Sequence, residues 1–179
     1  MADRGSLYLW TMRCLYAGLC GLVVMFHLLP LGQMDTVVFS PDIILCLTIA
    51  WVVRRPEYAP ILLIAGVALL ADLLLMRPPG LWAALTVLLA NSISKQRGKM
   101  RSTGFGVEWF RVSFGMAVIF VVERIAFGVL FVTPPSLAAG VAEFAATAIC
   151  YPIVVGVTAG LLRVRKPELI ETPAGGRRV

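Results

Sequence analysis

The sequence predicts an all-α fold, a polytopic membrane helix bundle of about six spans. Three observations predict it. The 179 residues are 59% hydrophobic and only 15% charged, with a mean hydropathy of +0.88, more apolar than a soluble domain of this size. Apolar runs recur along nearly the whole chain, broken by short clusters of charge, proline and glycine, and the longer ones approach the roughly 20 residues that a membrane-crossing helix needs. The cations, finally, gather in alternate connections, the pattern that sets orientation in a bilayer.

The spans expected are Cys14–Leu31, Pro41–Val53, Pro60–Met76, Gly80–Ile93, Val112–Val132 and Leu137–Leu162. The second and fourth are short: at about 1.5 Å per residue they reach only about 20 Å, against a hydrocarbon thickness of about 30 Å. Their ends are expected to be shielded by neighbouring helices. The first run leads straight into further spans with no small-residue cleavage site, so it reads as a retained helix. Ser40-Pro41 reads as the N-cap and first position of the second span. Trp51, Arg54, Arg55 and Pro56 read as its exit, with tryptophan at the interface and cations at the negative end of the helix dipole. Met76-Arg77-Pro78-Pro79-Gly80 and Val132-Thr133-Pro134-Pro135-Ser136 read as stiff corners on the opposite side. The longest connection, Ser94–Arg111, is basic, and its segment Glu108–Arg111 is expected to lie in the interface. Residues 1–162 thus form one helix-bundle domain, and 163–179 a basic tail expected to be mobile without a partner.

With a cytoplasmic N-terminus, fourteen of the sixteen Lys and Arg residues fall on the cytoplasmic side. Arg77 alone lies outside, and Arg124 lies within a span. An even number of spans then puts both termini in the cytoplasm. This topology accounts for the net charge of +6 without invoking nucleic acid. Cys14, Cys20, Cys46 and Cys150 sit in apolar runs with no CxxC pair and read as reduced packing thiols.

Ionisable residues at membrane depth are expensive and face protein, a cavity or a partner. Here they are His27, Asp72, Glu123, Arg124 and Glu143. All fall in the outer half, so one shared polar cluster is expected, with Arg124 as the neutralising cation for Asp72 or Glu143. The cluster reads either as a structural ion pair or as a polar groove for another protein's segment. His27 lacks HxxxH or HExxH spacing, so no metal or cofactor is expected. No GxSxG, useful carboxylate pair or phosphate-cradling glycine loop occurs, so no catalytic residue is assigned. Gly156 and Gly160 form a GxxxG, a signature of close helix packing either within the chain or between chains.

The stretch Arg54-Arg55-Pro56-Glu57-Tyr58-Ala59-Pro60, followed by Asp72-Leu-Leu-Leu-Met76-Arg77-Pro78-Pro79-Gly80-Leu81-Trp82, resembles the MreD family of rod shape-determining membrane proteins, of the alphaproteobacterial type. The match is strongest over Pro41–Asn91. The resemblance implies a non-catalytic inner-membrane partner of MreC, within the elongation machinery that links MreB filaments to RodA and its penicillin-binding protein in lateral peptidoglycan synthesis. It marks Asp72, Arg77, Pro78, Pro79, Gly80 and Trp82 as an outer-corner motif for shape and partner contact. The family is also similar in fold to the six-helix substrate-binding S-components of energy-coupling-factor transporters, which implies a second reading as a small-molecule transport subunit. A third, an intramembrane enzyme with Asp72 or Glu143 as acid or base, finds no nucleophile or metal in the sequence. Anionic lipid is a further partner expected for the basic loop and tail.

Overall fold

The computed structural model describes residues 2–29, 41–101, 104–129 and 136–160. They form an all-α six-helix bundle: α1 (Ala2–Leu28), α2 (Ile43–Arg54), α3 (Ile61–Leu74), α4 (Leu81–Arg101), α5 (Phe105–Val129) and α6 (Leu137–Gly160). Among the described residues three segments are long and apolar enough to cross a membrane: Ser6–Leu28, Phe105–Val129 and Leu137–Gly160. Their outward faces carry large apolar side chains, among them Met25, Phe114, Ile125, Ile149 and Ile153, each more than half exposed. Such a surface suits lipid as solvent, and the architecture is that of a multi-pass membrane protein.

The short α2 is the central strut. Every residue from Ile44 to Arg54 is buried, and the helix packs against α1, α4 and α6. At about 18 Å it is shorter than the hydrocarbon layer, and the surrounding helices shield it as expected. Trp51 is 0% exposed and lies between the rings of Tyr16 (5.6 Å) and Tyr58 (6.2 Å). It is a core residue, not an interfacial one. The Tyr16 hydroxyl shares a hydrogen bond of 2.8 Å with Thr48 Oγ1, and Thr48 donates to the Ile44 carbonyl at 2.7 Å. These two buried hydroxyls are thereby satisfied inside the bundle.

Several boundaries differ from the expected ones, for a distant contact at α1, a local cap at α2 and helix propensity at α4. α1 begins at Ala2 rather than near Cys14. Its first turns are held against the α2–α3 connection, where Tyr8 meets Tyr58 edge-on at 6.0 Å and Arg13 Nε donates to the Glu57 carbonyl at 3.2 Å. The N-cap of α2 is Asp42, whose Oδ1 accepts the Leu45 N–H at 3.0 Å. Ser40 lies outside the described residues, as do Gly32–Phe39, the turn residues 132–135 and the tail 163–179. The expected connection Ser94–Arg111 is mostly helix. α4 runs on through Arg101 and α5 starts at Phe105, because lysine, glutamine and arginine sustain a helix after hydrophobicity has ended.

Pro152 lies inside α6. It has no N–H for the Ala148 carbonyl four residues back, which would be orphaned in the apolar layer. The Trp109 indole of α5 fills the vacancy, its Nε1–H donating to the Ala148 oxygen at 2.9 Å. Trp109→Phe is therefore expected to destabilise the bundle by about 1–3 kcal/mol. Adding Pro152→Ala restores a backbone donor to Ala148 and should recover most of the loss. Thermal unfolding of the purified variants in detergent checks this, and strict additivity of the two substitutions would refute the coupling.

Candidate functional site: the polar cavities at the proline corner

The corner between α3 and α4 is built around Asp72. Met76 (φ 53°) and Gly80 (φ 87°) take left-handed conformations that turn the chain, one of them supplied by glycine at no steric cost. Beneath them the 0% exposed Asp72 accepts the Gly80 N–H (2.9 Å) and the Ala83 N–H (3.2 Å) with Oδ2. A carboxylate on the last turn of α3 thus caps the first turn of α4, where free N–H groups and the helix dipole favour negative charge. The hydrogen bonds of Asp72 thus run to the corner rather than to the Arg124 guanidinium expected for it or for Glu143. The partners that Asp72 takes are backbone, and its carboxylate lines neither cavity at this end of the bundle.

Capping fixes the next residues. Arg77 lies with its guanidinium carbon 5.4 Å from the centre of the Trp82 ring, a cation–π contact, and its Nη1 is 3.6 Å from Asp42 Oδ2. Asp42 is a junction: its N–H donates to Thr147 Oγ1 at 2.9 Å, and that hydroxyl donates to the Glu143 carbonyl at 2.7 Å. The ends of α2 and α6 are therefore tied to the corner between α3 and α4.

Asp42, Arg77, Trp82 and Glu143 form a wall shared by two cavities. The first, of about 220 Å³, lies towards α5 and adds Glu123, Arg124 and Pro78 over a floor of Phe120, Phe127 and Phe144. The second, of about 290 Å³, lies towards α1 and is lined by His27, Ala71 and Leu75. His27 Nδ1 is 3.0 Å from the Val23 carbonyl. Arg124 has its guanidinium carbon 5.6 Å from the centre of the Phe120 ring. A Cβ placed on Gly140 would come within 2.9 Å of Arg124 Nη1 and 2.6 Å of Phe120 Cε2, so glycine at 140 lets α5 and α6 approach around this cation.

Of the expected polar cluster, the structure brings together His27, Glu123, Arg124 and Glu143, joined by Arg77, Pro78 and Trp82 of the corner motif. Gly80 supplies the turn. Among the described residues nothing packs closely on Gly156 or Gly160: a Cβ on either would meet no atom within 4 Å. The close internal contacts fall at Gly140 and at Gly115, against Leu89. Sequence reading missed Asp42, although an aspartate directly before an apolar run is a capping signal.

A second buried ionic site lies at the other end of α2. Arg54 and Glu108, with side chains 8% and 0% exposed, approach to 3.6 Å, and the Tyr151 hydroxyl donates to Glu108 Oε1 at 3.0 Å. Glu108 is a core residue rather than part of an interfacial segment, and it joins α2, α5 and α6.

Chemically, the first cavity pairs carboxylates and guanidiniums with an aromatic floor, which suits a charged group on an apolar body. Its one hydroxyl, on Thr147, is engaged both as donor and as acceptor. Among the described residues no group of three or more His, Cys, Asp or Glu side chains is placed to hold a metal ion. All four cysteines are free thiols, Cys20 and Cys46 buried. No family model, no curated protein and no solved structure matches this chain.

Proposed function

We propose that the chain crosses the bacterial inner membrane six times, with both termini cytoplasmic. In this reading it is a non-catalytic scaffold of the cell-elongation complex that binds MreC within the membrane, and through it associates with RodA, its penicillin-binding protein and MreB. The observation that carries the reading is the role of residues 72–82. The stretch that most resembles MreD is also the corner in which Asp72 caps α4 and Arg77 joins Asp42 over Trp82. Residues of a family motif are expected to have such a joint task in shaping a contact region. The six-span topology draws support from the cation distribution and from the shielding of the short α2.

Detergent co-purification of the tagged chain with MreC from the native host, with mass spectrometry of the eluate, tests the proposal. Stoichiometric MreC is expected, reduced several-fold by Trp82→Ala. A folded chain that recovers no MreC would overturn it. The two cavities favour a second reading, a transport subunit that binds a small amphiphile between Arg77, Glu123 and the aromatic floor. A stoichiometric metabolite with transporter ATPases in the same eluate, without MreC, would decide for that one.

A further inference from the structure

A third cavity, a groove with about 580 Å³ of open space, runs between α4 and α5. The helices are antiparallel and separated by only three residues, 102–104. Leu85 and Val122 therefore lie at one end of the groove, Gln96 and Arg111 at the other. Most of its length is apolar, and the rim residues Leu88, Phe114 and Val118 are exposed. Polar lining occurs towards one end, at Ser92, Gln96 and Arg111. There Arg111 Nη1 is shielded from solvent yet has no hydrogen-bond partner among the described residues. A guanidinium nitrogen in that position lacks the acceptor that burial demands.

Length and charge identify the occupant. From Leu85 to Gln96 the groove spans about 16 Å at 1.5 Å per residue, close to half of the roughly 30 Å hydrocarbon layer. That is the reach of one leaflet. The sequence around its polar end is basic, with Lys95 next to Gln96 and Arg97, Lys99 and Arg101 following, a composition that attracts anionic headgroups. A purely apolar transmembrane helix of a partner would cover the apolar walls but leave Arg111 without an acceptor. A zwitterionic lipid would bring its own ammonium into a cationic end. We propose that the groove holds one anionic phospholipid, with an acyl chain along Leu88, Val118 and Val122 and its phosphate accepting from Arg111. The proposal requires only that α4 and α5 lie across the lipid, and it is independent of any contact with MreC.

Native mass spectrometry of the full chain, released from detergent micelles containing equal amounts of phosphatidylglycerol and phosphatidylcholine, tests it. Both lipids offer a phosphate to Arg111, but only phosphatidylcholine brings an ammonium into the cationic end, so phosphatidylglycerol adducts are expected to exceed phosphatidylcholine adducts about tenfold. Arg111→Gln removes the phosphate's donor and one positive charge, so it should lower the phosphatidylglycerol adduct and reduce the preference, and Arg111→Lys should keep more of both. Val118→Trp, at a rim position 47% exposed, fills the groove and should lower both adducts, which keeps the test open if Arg111→Gln does not fold. Equal binding of the two lipids by the unaltered chain, or an undiminished preference in folded Arg111→Gln, would overturn the proposal. Presence or absence of MreC in co-purification leaves this readout unchanged.

Discussion

Glu108→Ala is expected to destabilise the bundle by about 3–5 kcal/mol, the usual consequence of removing one member of a buried ion pair. For a chain of this length that lowers the apparent Tm in detergent by roughly 10 °C. Glu108 is 0% exposed, and its Oε1 takes both the Arg54 guanidinium at 3.6 Å and the Tyr151 hydroxyl at 3.0 Å. Without the carboxylate, Arg54 stays buried with a long hydrogen bond of 3.4 Å to the Ala50 carbonyl, too little to balance its desolvation. The pair itself has a different worth. Replacing the group by apolar residues, Arg54→Met with Glu108→Leu and Tyr151→Phe, removes the charges together with both of these partners and is expected to recover most of the loss. A Glu108→Ala protein within about 1 kcal/mol of the parent would show that Arg54 reaches solvent or another acceptor.

The contrast between Glu108 and the polar residues found from sequence shows what a one-dimensional reading can see. Apolar runs report helices because each must bury or immerse a whole side of the chain, so the all-α class and the six elements were legible. Ionisable residues inside those runs stood out for the same reason, and His27, Glu123, Arg124 and Glu143 do converge on the cavities. Asp42, Arg54 and Glu108 did not stand out, because they sit at the edges of runs where charge is ordinarily solvated. The one available signal for Glu108 was that it is the sole acid in the basic stretch 94–111. Helix ends were misplaced wherever a distant group decides them, as the Tyr8–Tyr58 contact does for α1. The bond from Trp109 to the Ala148 carbonyl depends on the register of α5 against α6, which no local pattern encodes.

Asp72 separates two accounts of a buried carboxylate by their response to substitution. If its task is to cap α4, Asp72→Ala strands the Gly80 and Ala83 N–H groups and removes a charge from the positive end of the helix dipole, a loss of about 3 kcal/mol. Asp72→Asn keeps an acceptor oxygen in place and should cost about 1 kcal/mol. If its task were instead to pair with Arg124, asparagine would fare nearly as badly as alanine, and exchanging the charges in Asp72→Arg with Arg124→Asp would restore stability. The geometry favours capping, since both hydrogen bonds run to backbone while Arg124 lies across α5 and α6 against Phe120 and Gly140. The charge exchange is therefore expected to be no better than Asp72→Ala, and thermal unfolding of the three variants in detergent checks the order. The effect should also reach the cavities. A frayed α4 start loosens Trp82 and with it the Arg77–Asp42 contact that closes the shared wall, so partner or ligand capture should fall with Asp72→Ala and persist with Asp72→Asn. Recovery by the charge exchange would overturn capping and return Asp72 to an ion pair.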